Sequence, residues 1–86
     1  MITVNDFKLV ANDKLESIEI EIDRLLNSVK QNYSGESIIS IDWPIEFSTR
    51  LFEAVKNKYM DEGDFINLTL EHFPEKDLYV LNFQLF

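Results

Sequence analysis

The order and spacing of apolar residues predict an α+β domain: a long N-terminal helix, a short strand, a second helix and a C-terminal β-hairpin, with a three-stranded sheet carrying both helices on one face. Two observations carry this expectation. The opening third repeats its apolar residues every seven positions, and the closing third holds two alternating segments on either side of Pro74-Glu75-Lys76-Asp77. All 86 residues belong to one domain.

In the opening third, Val4, Ala11, Ile18 and Leu25 recur at sevens, Leu15, Ile22 and Val29 interleave, and Phe7, Leu26 and Tyr33 widen the stripe. At 3.6 residues per turn these side chains fall within an arc of about 100°, the pattern of an amphipathic helix. Thr3 to Asp6 can cap its start and Gly35 can stop it. The weak point is Asn12-Asp13, whose short polar side chains compete for the backbone, and Asp13-Lys14-Leu15-Glu16 reads as a second capping box. One helix or two both fit. A strand through Ile18, Ile20 and Ile22 is the rival reading, and three alternating residues weigh less than ten in helical phase.

Ser37 to Asp42 is β-branched and follows a glycine, so it is expected as a strand. Asp42 or Trp43 then caps a second helix with Pro44 in its first turn. From Ile45 to Glu62 this helix gathers Phe47, Leu51, Phe52, Ala54, Val55 and Tyr59 on one side, opposite Glu46, Arg50, Glu53 and Lys56, and Gly63 ends it. Asp64 to Phe73 sets Ile66, Leu68 and Leu70 against Asn67, Thr69 and Glu71. Leu78 to Phe86 sets Tyr79, Leu81, Phe83 and Leu85 on one face, and the proline turn joins the two as an antiparallel hairpin. If the first strand joins the hairpin's sheet as a parallel neighbour, the second helix makes a right-handed crossover and both helices can cover one sheet face.

Composition excludes several function classes. Sixteen acidic against eight basic residues give a net charge of −8, shared equally by the two halves, which disfavours direct contact with nucleic acid. Without cysteine there is no disulfide, thiolate zinc site or thiol nucleophile. No apolar run is long enough for a membrane span, and the charged opening residues do not read as a signal peptide, so a cytoplasmic protein is expected. The Asn32-Tyr33-Ser34 and Asn67-Leu68-Thr69 triplets then read as chance matches to a glycosylation pattern.

The chemical motifs are sparse. His72 is the lone imidazole, and a strand would turn it away from Glu71. Asp61, Glu62 and Asp64 around Gly63 resemble an oxygen-rich loop, but the residues that follow do not complete a calcium pattern. Ser34-Gly35-Glu36-Ser37 has too little glycine for a phosphate cradle, and no serine sits in a nucleophile elbow. No catalytic activity, metal or cofactor is expected.

Two surfaces remain. Glu16, Glu19 and Asp23 lie within about 60° of one another on the first helix. Together with Asp61, Glu62 and Asp64 they are the candidate contacts for a protein partner with a basic surface, although a solvated rim is the simpler account of such acids. A helix from Val4 to Tyr33 is also about 45 Å long, more than a small three-stranded sheet can cover. Self-association through Val4, Ala11, Leu15, Ile18, Ile22 and Leu25 is one expectation, and a monomer whose helix breaks at Asn12-Asp13 is the other.

The function expected is a small acidic, non-enzymatic protein-binding or inhibitor protein acting on a basic partner. The alternative is a homo-oligomeric structural or accessory domain. Frequent Ile, Asn, Lys, Phe and Tyr, the residues of AT-rich codons, fit a low-GC bacterium or a phage-encoded product.

Overall fold

The computed structural model describes residues 1–43 and 48–86. Its elements are α1 (Val4–Gln31), β1 (Ile38–Trp43), α2 (Thr49–Glu62), β2 (Asn67–Phe73) and β3 (Leu78–Gln84), an α+β order.

α1 is one unbroken helix of 28 residues that runs straight through Asn12-Asp13. Both of these side chains are exposed, so water satisfies the polar groups that would otherwise compete for the backbone. Thr3 caps the start: its backbone N–H and its hydroxyl both donate to Asp6 Oδ2, at 2.8 and 3.1 Å. Asp6 in the first turn and Lys30 in the last complement the helix dipole. The helix stops at Gln31, before Gly35, which takes a positive φ of 103° inside the following loop.

β1 extends one residue further than expected, so Asp42 and Trp43 are strand residues and not helix caps. Trp43 is 2% exposed, and its burial holds the strand down to that point. α2 is capped instead by Ser48, whose hydroxyl oxygen accepts the Leu51 N–H at 3.2 Å. The expected helical positions of Pro44, Ile45, Glu46 and Phe47 lie outside the described residues.

The sheet order is β1-β3-β2, and every pairing is antiparallel. β1 is therefore not a parallel neighbour within the hairpin: it pairs with β3 from Ile38↔Gln84 to Trp43↔Tyr79. It runs in the same direction as β2, but with β3 between them. A helix is about 10 Å wide and strands are about 4.8 Å apart, so a crossover that skips one strand matches the width of α2. The hairpin turns through a short 3₁₀ segment, Pro74–Lys76, and Asp77 closes it at a positive φ of 49°.

Alternation then sorts the sheet. Ile41, Leu68, Leu81 and Phe83 point to one face and are buried there with Ile22 of α1 and Val55 and Tyr59 of α2. Tyr59, Phe65 and Phe83 meet edge to face, with ring centroids 5.3 to 6.0 Å apart. The other face is more open and mixes polar residues with Ile38 and Phe73, 52% and 40% exposed. Across it Ser40 Oγ donates to Asn82 Oδ1, and Asn82 Nδ2 donates to Glu71 Oε1, at 2.5 and 2.6 Å. No helix among the described residues is long and apolar enough to cross a membrane.

Candidate functional site

The phase of α1 is set by Ile22, which is fully buried, and this places Glu16, Glu19 and Asp23 together along the seam facing α2. Lys58 of α2 projects into the same space. The four charged groups, with Asn12, Leu15 and Ile20, line one cleft of about 390 Å³ between the helices.

Each acid has a different role in the cleft. Lys58 Nζ lies 2.7 Å from Glu19 Oε2 and 3.9 Å from Glu62 Oε2. The bond to Glu19 raises the Lys58 pKa, and the more distant Glu62 and Glu16 charges add to the effect. Asp23 accepts the Tyr59 hydroxyl at 2.6 Å. Burial first, and then the Asp23 carboxylate, push the Tyr59 pKa upward. Glu16 has no hydrogen bond or ion pair among the described residues. Three carboxylates against one ammonium leave the cleft at −2, and Ile20 stands 65% exposed at its edge. An apolar patch beside unbalanced carboxylates suits a long cationic side chain, whose methylene stem needs the one and whose head needs the other.

The other candidate acids flank the far end of α2, and of them Glu62 alone reaches Lys58. Asp61, Glu62 and Asp64 surround the α2–β2 turn and are exposed. Gly63 is required there by close approach, since a Cβ would come within 2.8 Å of the Tyr59 carbonyl oxygen, and Asp64 takes a positive φ of 60°. His72 stacks on Tyr79 with ring centroids 4.3 Å apart, near the far end of β2. At about 3.3 Å per strand residue, the length of β2 keeps it roughly 16 Å or more from Asp64. Among the described residues no three His, Asp or Glu side chains gather as a metal site.

Of the candidate self-association residues, Ile22 is a core residue and Leu15, Ile18 and Leu25 pack against that core, while Val4 and Ala11 are exposed. An apolar hollow of about 210 Å³ near Leu26, Val29, Phe65 and Leu85 is smaller than the roughly 300 Å³ at which ligand pockets begin.

Sequence reasoning missed Ile20 and Lys58. Ile20 was detectable, because it is an apolar residue on the polar side of a helical wheel. Lys58 enters the cleft only through the packing of α2 on α1. Comparison with protein-family models, curated proteins and solved structures gives no match.

Proposed function

We propose that this chain is a non-enzymatic protein-binding protein, of regulator or inhibitor type, that engages a basic partner through the cleft between α1 and α2. The observation that supports this reading is the convergence of Glu16, Glu19 and Asp23 on one concavity with the exposed Ile20 at its edge. An Arg or Lys side chain of the partner would lay its stem on Ile20 and its head against Glu16. The net charge of −8 would steer the encounter over longer range. Action in the cytoplasm of a low-GC bacterium, from a bacterial or phage gene, belongs to the same proposal.

The test is affinity purification at low salt with mass spectrometry, using the wild type beside Glu16→Lys and Ile20→Lys. Neither side chain is buried, so both variants should fold. The reading expects a basic protein that both substitutions lose and that about 1 M salt releases, where the Debye length is about 3 Å. A partner retained by both variants, or indifferent to salt, overturns it.

A further inference from the structure

α1 runs past the rest of the fold. Every residue from Met1 to Lys14 is exposed, and Leu15 is the first that packs on the core. The apolar stripe nevertheless continues outward through Ala11, Phe7 and Val4, with Val10 beside it, and Val10, Phe7 and Val4 are 53%, 68% and 69% exposed. A groove runs between Phe7, Val10, Ala11 and Lys14 of this overhang and Ser48, Arg50 and Leu51 at the start of α2.

Charge identifies the occupant. Residues 1–14 contain Asp6 and Asp13 against Lys8 and Lys14, so their side chains are neutral and the whole excess of −8 lies on the remainder. A basic partner is drawn to that remainder. Two copies meeting through it would bring the acids together, whereas meeting through the overhangs holds the two acidic remainders apart and leaves Lys14 and Arg50 at each groove. We propose that the α1 overhang pairs antiparallel with the overhang of a second copy. With the two-fold axis near Val10, Phe7 of each copy packs against Val10 and Ala11 of the other, and Asp6 comes opposite Lys14 on the same helical flank.

Area sets the strength. An aromatic side chain carries roughly 150–250 Å², so Phe7 alone leaves about 100–170 Å² open. With Val4, Val10 and the groove wall, the patch reaches several hundred Å² per copy. That exceeds a scattered surface residue and falls short of the roughly 800 Å² per partner of a standard interface, so a weak, concentration-dependent dimer is expected.

Sedimentation velocity across the micromolar-to-millimolar range tests this. The wild type should dimerise, more tightly as salt screens the repulsion of two −8 chains, and Phe7→Glu/Val10→Glu should weaken dimerisation by about 100-fold. The chain has no cysteine, so Val10→Cys should give a disulfide dimer under oxidation. Val4→Cys should not, because the antiparallel axis holds the two positions about 18 Å apart. A wild type that stays monomeric throughout, or a dimer unaffected by Phe7→Glu/Val10→Glu, overturns the proposal; equal cross-linking at Val4 and Val10 overturns the antiparallel geometry. None of these outcomes touches the cleft of Glu16 and Ile20.

Discussion

The Tyr59 hydroxyl of α2 donates to Asp23 Oδ1 of α1 at 2.6 Å, with the Glu19 carbonyl oxygen 3.3 Å away as a second acceptor. The ring below is buried against Phe65 and Phe83, so one side chain anchors the aromatic core and joins the two helices. Tyr59→Phe should cost about 0.5–1.5 kcal/mol, the usual net worth of one hydrogen bond, measured by urea unfolding.

The same contact gives a pH dependence. The folded Tyr59 pKa is raised above its unfolded value, so its contribution is complete below about pH 10 and is lost as pH climbs beyond that. The unfolded chain then releases a proton that the folded chain retains, and stability falls with rising pH. Absorbance titration of tyrosinate should show one late ionisation in the wild type that disappears in Tyr59→Phe.

Glu19→Gln should do much less. Its partner Lys58 has a side chain 41% exposed and Glu19 itself 28%, so water screens the pair and the loss should be smaller than that of Tyr59→Phe. A larger loss in thermal melts would show that this bridge, and not Tyr59–Asp23, fastens α2 to α1.

Gly63→Ala places a methyl group 2.8 Å from the Tyr59 carbonyl oxygen and against the Phe65 ring, so either the α2–β2 turn or the aromatic cluster must shift. A loss of about 1–3 kcal/mol is expected, the range for overpacking. Ser34→Ala, which removes a bond to the exposed Glu36 carboxylate, should leave the unfolding midpoint almost unchanged.

Ile22→Asp and Phe7→Ser separate the two halves of the α1 stripe. The first puts a carboxylate into the core and should abolish cooperative unfolding, a penalty above about 4 kcal/mol. Phe7→Ser should leave the monomer's melting temperature unchanged. Circular dichroism of both variants at low concentration checks this.

The amino-acid order alone specified the five main elements, four of them through an apolar period and β1 through its β-branched residues. Val4 to Val29 keep helical phase over seven turns, and Leu81 and Phe83 keep strand phase opposite Asn82 and Gln84. The surplus of acid was also readable there. What packing alone decided was which strand is central, how far β1 runs and which acids meet a cation. β3 takes the middle because it buries Leu81 and Phe83 against both neighbours, and Trp43 is drawn into the strand by the core it completes. Lys58 reaches Glu19 across 39 positions of sequence, a separation that local periodicity does not encode, since it reports which face a residue occupies and not what it will oppose.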